Sequence, residues 1–148
     1  MISQTAEYAL RAMVFLAMQK SAATGQGIAE TTKVPPGYLS KIMQQLVKRK
    51  LVNSQRGIGG GFVLARSPEE ISILDVVNAV DPIEKITTCP LDIQSHGLNL
   101  CPLHKRLSAA VAQVELAFAE SKLSELVTES QSPLCSSVPL TPNENVCH

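Results

Sequence analysis

Along Gln4 to Lys20, Leu10, Met13, Val14 and Ala17 recur at i, i+3, i+4 and i+7, the period of a helix with one buried face. The small, polar stretch Ser21 to Gly25 interrupts it, and Gly27 to Thr32 has room for only a short second helix. Pro35 and Pro36 cannot lie in a helix interior. Pro36 at a first helical position gives up only an amide that has no intrahelical partner, so a third helix is predicted to start there. On it Leu39, Ile42, Met43 and Leu46 form the buried stripe, and Gly37, Ser40, Lys41, Gln44 and Lys48 form the opposite face, with Tyr38 beside them. After Lys48-Arg49-Lys50 the period shortens to two. Leu51 to Gln55 and Phe62 to Ala65 read as short strands joined by the glycine-rich hairpin Gly57-Ile58-Gly59-Gly60-Gly61.

Ser67-Pro68-Glu69-Glu70 carries helix-start signals, and Ser72 with Asp75 offers a competing capping box, so a fourth helix to about Ala79 has two candidate starts. Asp81-Pro82 ends it. Beyond a loop, Pro102 again marks a helix start, and Leu103, Leu107, Val111, Val114 and Phe118 follow at spacings of 4, 4, 3 and 4. An apolar line of about five turns is too long for a small domain to cover alone, which predicts pairing with another chain. Ala109, Ala110, Ala112 and Ala117 blur the faces and keep an ordinary core helix as the alternative. Leu123, Leu126 and Val127 would add one more turn. From Glu129 onward Ser, Pro, Asn and Thr dominate, which predicts disorder. The expected fold is mainly α: a winged helix-turn-helix over 1–80, a Cys/His loop over 81–101, a dimerisation helix region over 102–128 and a tail over 129–148.

Net charge is zero, but residues 1–66 hold nine basic side chains against two acidic ones, leaving the remainder equally negative. A basic N-terminal part suits a polyanionic partner; a merely solvated basic face is the plainer reading of charge alone. The third helix supplies what charge lacks, small and hydrogen-bonding residues near a helix N-terminus that can meet base edges and phosphates in a major groove. In the hairpin, glycines make a thin tip with Arg56 at its base, suited to a minor groove, although a tight turn needs the same glycines. A phosphate-binding loop is a further alternative that the hairpin fits poorly, because the Lys-Ser/Thr ending is missing and a strand follows. Aromatics are 3% with no Trp, which argues against a stacking platform for single strands. No apolar run reaches the roughly 18 residues of a membrane span and no cleavable leader opens the chain, so a cytoplasmic protein is expected.

Four cysteines in a reducing compartment point to metal ligation or redox chemistry sooner than to disulfides. Cys89-Pro-Leu and Cys101-Pro-Leu bound a loop that also holds Asp92, Ser95 and His96, with His104 just beyond. Cys101 and His104 stand at i and i+3 at a helix N-terminus, where both side chains can face one point and thiolate chemistry is favoured. Two thiolates with imidazole or carboxylate can complete a zinc site or a two-iron cluster of mixed ligation. A cysteine serving as a small buried hydrophobe is the alternative. Nothing marks an oxyanion hole or an orienting third group, so a Cys-His hydrolase, and an enzyme generally, is not expected.

In order along the chain, Val34-Pro-Pro-Gly-Tyr-Leu-Ser-Lys-Ile-Met, the hairpin Gln55-Arg-Gly-Ile-Gly-Gly-Gly-Phe-Val-Leu-Ala-Arg66, the segment Ile73-Leu-Asp-Val-Val-Asn-Ala-Val80 and the Cys/His loop resemble the Rrf-type winged-helix transcription regulators. That family includes iron-sulfur cluster regulators and nitric-oxide-sensing repressors, and the likeness spans about residues 1–128. It implies a homodimer whose long C-terminal helices cross and whose two winged units bind a palindromic promoter site in double-stranded DNA. By position, Gly37, Ser40 and Lys41 fall where members contact bases, and Arg56 where the wing enters the minor groove. Cluster-binding members resemble one another in three cysteines, each separated by five residues, some with a His three residues after the last. Here Cys89, Cys101 and His104 match, but Ser95 stands at the middle position, which rules out three-cysteine ligation. His96 is next to it, and Glu7 lies where certain members supply a carboxylate from the partner subunit. The resemblance thus implies a regulator, expected to repress, that senses redox, nitric oxide or iron-sulfur status, with a 2Fe-2S cluster favoured over 4Fe-4S and zinc or no cofactor as alternatives. A cluster-free regulator responding to thiol oxidation or a small molecule, and an interaction module without a DNA role, are the other readings.

Overall fold

The protein is described by a computed structural model over residues 2–87 and 100–130. Among these the order is α1 (Gln4–Met18), α2 (Gly25–Thr32), α3 (Pro36–Lys48), β1 (Val52–Gln55), β2 (Gly61–Leu64), α4 (Ile73–Val80), α5 (Pro102–Glu120) and α6 (Leu123–Ser130). Ser3 caps α1 by accepting the Ala6 amide, and the helix stops at Met18, two residues before the expected end at Lys20. The chain leaves early because Ala23 is drawn into an antiparallel bridge with Phe62, exchanging both backbone bonds at 3.0 and 2.8 Å. Thr24 is then free to cap α2 through the Gly27 amide at 3.1 Å, so α2 begins at Gly25 and not at Gly27 as the pattern predicts.

Pro36 opens α3 as expected, and Leu39, Ile42, Met43 and Leu46 are all buried. They meet Met13 and Leu16 of α1, Ile28 of α2, Leu51 and Val52 beside the sheet, and Ile71 and Val76 around α4. Each fully buried aliphatic side chain in this core contributes about 1.5–3 kcal/mol. Of the two candidate starts for α4, Ser72 is the one used. It accepts the Asp75 amide at 3.1 Å while the Asp75 carboxylate accepts the Ser72 amide at 3.0 Å, which closes the capping box.

Two turns depart from ordinary side-chain preference. Lys33, ending α2, and Lys50, just past α3, both adopt φ 59°. The Lys50 backbone amide donates to the Val47 carbonyl and that of Leu51 to the Leu46 carbonyl, the bond pattern of a helix end in which glycine normally takes the left-handed position. A lysine there costs on the order of 1 kcal/mol relative to its relaxed backbone.

The largest departure from the expected elements is at the C-terminal end. Periodicity predicts one helix carried through Val127, but α5 stops at Glu120 and the chain turns. The Ser121 carbonyl accepts the Ile73 amide at 3.0 Å and the Leu123 amide donates to the Ile71 carbonyl at 2.9 Å, and an isolated bridge pairs Ser72 with Lys122. This redirects α6 onto α1 and puts Leu123, fully buried, in the same core as Leu46 and Ile71. Helix also continues over Glu129 and Ser130, where the composition predicts a disordered tail; the rest of that tail lies outside the described residues.

Candidate nucleic-acid interface and thiol site

Because α3 spends one face on the core, its other face is left outward, and Gly37, Tyr38, Ser40, Lys41, Gln44 and Lys48 are all exposed. A Cβ placed on Gly37 would meet nothing within 4 Å, so no packing inside the protein requires glycine there. Tyr38 leans on Tyr8 of α1 in an edge contact, ring centroids 6.2 Å apart. Tyr8 in turn accepts a hydrogen bond from Gln4 at 2.9 Å and lies under the Arg11 guanidinium, 5.7 Å from the ring centroid. This extension of the polar face onto α1 is not apparent from α3 alone. The i, i+3 spacing of Tyr8 and Arg11 was the available signal.

The hairpin is held at its root and thin at its tip. Strand pairing runs from Val52 opposite Leu64 to Gln55 opposite Gly61, and Arg56 follows directly, exposed. Gly57 and Gly59 turn the tip at φ +97° and +74°, and Gly60 closes it by donating to the Gly57 carbonyl at 3.0 Å. A Cβ on Gly60 would fall 2.5 Å from the Gln55 carbonyl oxygen, and one on Gly61 would fall 2.3 Å from that of Ala23. Those two glycines serve the fold: one lets the tip close, the other lets the hairpin root pair with the α1–α2 link. Ile58 stands fully exposed at the end of the tip, a position that hairpin periodicity does not single out. Among the described residues, Ser40, Lys41, Gln44, Lys48 and Arg56 have no side-chain hydrogen bond or ion pair within the protein.

Cys101 is the N-cap residue of α5, in extended backbone with no side-chain capping bond, and Pro102 takes the first helical position. One turn on, His104 Nδ1 lies 3.0 Å from Cys101 Sγ, both groups partly buried. The predicted i, i+3 pair is therefore brought together. Glu7 is on α1, ion-paired with Arg11, and both side chains are about half exposed. Cys89, His96 and the intervening Ser95 lie outside the described residues, as do Cys135, Cys147 and His148. Among the described residues no three His, Cys, Asp or Glu side chains come close enough to hold a metal ion.

α5 has no buried residue. Leu103, Leu107 and Leu116 are exposed, and Leu107, Val111, Val114 and Phe118 border an open apolar cavity of about 400 Å³ whose other walls include Ile2, Ala6, Ile83 and Ile86. Lys85 ties the segment after α4 to Glu115 of α5 at 3.3 Å. No helix among the described residues is long and apolar enough to cross a membrane.

A short helix, a turn, a helix with a polar outer face and a two-stranded glycine hairpin define a winged helix-turn-helix, the architecture of a DNA-binding transcription regulator. The sequence profile of the Rrf2 family, described as "Iron-dependent Transcriptional regulator", matches residues 2–129. The chain belongs to the Rrf2 family. It is 29% identical over 136 residues to an HTH-type transcriptional regulator of Aquifex aeolicus, covering 89% of this chain and 94% of that one. Its fold is similar to that of CymR, the global cysteine regulator of B. subtilis, with a TM-score of 0.72 and 23% identity over 87% of this chain and 97% of that one. It is also similar to T. potens IscR, with a TM-score of 0.75 and 22% identity over 88% of each chain. Relatives of this family are named as regulators and not as enzymes.

Proposed function

We propose that this DNA-binding regulator acts as a homodimeric repressor on a palindromic promoter site, and that a thiol site at the start of α5 controls its grip. One observation carries the DNA part. The outer face of α3 and Arg56 of the wing are both exposed, and the side chains of Ser40, Lys41, Gln44, Lys48 and Arg56 have no hydrogen bond or ion pair among the described residues. In this reading Gly37, Tyr38, Ser40, Lys41 and Gln44 approach base edges, Lys48 meets phosphate, and Arg56 with Gly57, Gly59 and Gly60 enters the minor groove. Residues 1–80, with α6 packed into their core, form the DNA-binding unit, 81–101 the sensor loop and α5, within the region 102–128, the dimerisation helix. The homodimer is supported by α5, a helix of five turns with an apolar line and no buried residue in the single chain. A second copy of that helix is the natural cover for Leu107, Val111 and Phe118.

Cys101 Sγ and His104 Nδ1 lie 3.0 Å apart, and a sulfur and an imidazole so placed are two of the donor types that zinc or a mixed-ligand iron-sulfur cluster takes. Two donors are half of what either needs. Cys89, His96 and a Glu7 supplied by the second copy are the proposed remainder, and releasing Glu7 requires breaking its pair with Arg11. A bound 2Fe-2S cluster would supply one-electron redox chemistry and a target for nitric oxide. Cys101 stands at the N-cap position of the helix proposed to join the copies, so a change in its ligation would act at the start of that helix.

The test is purification without oxygen, followed by the visible spectrum, iron, sulfide and zinc content, and DNA affinity, for the native protein and for Cys101→Ser and Cys89→Ser. Matched iron and sulfide lost in either variant, with altered affinity, is the expected result. A colourless, metal-free protein with unchanged affinity in both variants removes the metal site. If DNA affinity then falls on thiol oxidation in the native protein alone, the cluster-free reading replaces it.

A further inference from the structure

We propose that Tyr8 of α1 is a positioning residue for DNA recognition, acting through Tyr38 of α3, whose ring it holds in the orientation that meets DNA. This rests on the DNA-docking reading above. The chain has two tyrosines, and the fold brings them together from separate helices, with ring centroids 6.2 Å apart and ring planes inclined at 66°. Tyr38 is the third residue of α3 and its side chain is 58% exposed. Among the described residues that side chain has no hydrogen bond, and Tyr8 is its only ring contact. A tyrosine on a helix has two open χ1 wells, near 180° and −60°, and an exposed ring without a neighbour divides itself between them. An edge-on aromatic pair favours one of them by about two- to tenfold.

Tyr8 is the fixed half of the pair. It packs partly buried against the core, and Gln4, one turn earlier, donates to its hydroxyl at 2.9 Å. Arg11 lies over its ring, 5.7 Å from the centroid, and is held there by its ion pair with Glu7. Gln4, Glu7, Tyr8 and Arg11 stand at i, i+3, i+4 and i+7, one stripe of α1 on which each side chain reaches the next. The core asks only for the apolar bulk of Tyr8. The hydroxyl bond and the guanidinium over the ring fix how that ring is turned, and the ring so fixed leans on the exposed tyrosine of α3. DNA then meets a Tyr38 already in place, and no fraction of the free protein has to change rotamer before it binds.

The experiment uses the full-length protein labelled with 3-fluorotyrosine, which gives two fluorine resonances; Tyr8→Phe leaves that of Tyr38 alone. Tyr8→Phe keeps the ring, whereas Tyr8→Leu keeps apolar bulk without it, and Tyr8→Met replaces the leucine variant if a thermal melt shows that one unfolded. In free protein the Tyr38 resonance should stay near its native place in Tyr8→Phe and move in Tyr8→Leu. Anisotropy with a duplex from the upstream region should show native affinity for Tyr8→Phe. Tyr8→Leu should lose about two- to threefold at each half-site, about four- to tenfold over the two, with binding to random DNA unchanged. In a Tyr38→Ala background, Tyr8→Leu should cause no further loss. A folded Tyr8→Leu that binds the specific duplex within about 1.5-fold of native overturns the proposal, and so does an equal loss on random DNA or a loss that persists without Tyr38. A Tyr38 resonance that does not move when native protein binds the duplex is a different failure: it removes Tyr38 from the interface, and the role of Tyr8 with it.

Discussion

Replacing Gly37 by Ala separates what folding needs from what DNA binding needs. Gly37 is the second residue of α3, and a methyl group there would have no neighbour within 4 Å. Within the free protein the change therefore costs no steric clash and gains helix propensity, about 0.5 kcal/mol so near the helix end. The melting temperature should rise by roughly 1–2 °C. At the proposed interface the same methyl lands where the helix backbone comes nearest to base edges, and it does so at both half-sites of a dimer. Displacing one well-placed base contact costs about 1–3 kcal/mol, so a loss of roughly 2 kcal/mol overall, some thirtyfold in Kd, is the least expected. Anisotropy with specific duplex measures the affinity and a thermal melt measures the stability. A more stable variant that binds within about twofold of the native protein would refute the placement of this face against DNA.

Three further outcomes follow from the same geometry. Leu123→Ala should cost about 2–5 kcal/mol by thermal or urea unfolding, since α6 puts that side chain in the main core; a cost below about 0.5 kcal/mol would show α6 to be a detachable extension. Leu107→Glu should leave the winged unit folded but convert the proposed dimer to monomer in sedimentation, and a variant that sediments like the native protein would remove α5 from the subunit contact. Lys48→Ala should weaken specific and random DNA alike and lower the salt slope, whereas Ser40→Ala should change the preferred sequence with little effect on that slope.

How far the sequence reveals this molecule depends on whether a feature is local. The start of α3 is legible because Pro36 suits only a first helical position, and its core stripe because four apolar residues repeat at helical spacing. The hairpin is legible because its glycines are demanded by close backbone approaches at Gly60 and Gly61. The break at Ser121 is not, since it is made by pairing with Ile71 and Ile73, fifty residues away along the chain, and no glycine or proline marks it. The left-handed turns escape notice for a similar reason: lysine stands where the turn signal would be glycine. The early end of α1 belongs to the same class, because it follows from the bridge between Ala23 and Phe62. Of the thiol site, the Cys101–His104 pair is readable from spacing alone, and so is the i, i+4 ion pair of Glu7 with Arg11. Glu7 as a ligand for a second copy is readable only through resemblance, since that relation joins two chains.

In the proposed complex α3 and the wing enter adjacent grooves of one duplex. A hydroxyl-radical footprint on the upstream DNA, with native protein and with Arg56→Ala at low salt, tests this directly. Native protein should protect two stretches about one helical turn, roughly 10 base pairs, apart, with flanking minor-groove protection that the Arg56→Ala variant loses. Protection identical in the two proteins would contradict the wing's role, and no protection at any concentration would contradict the account as a whole.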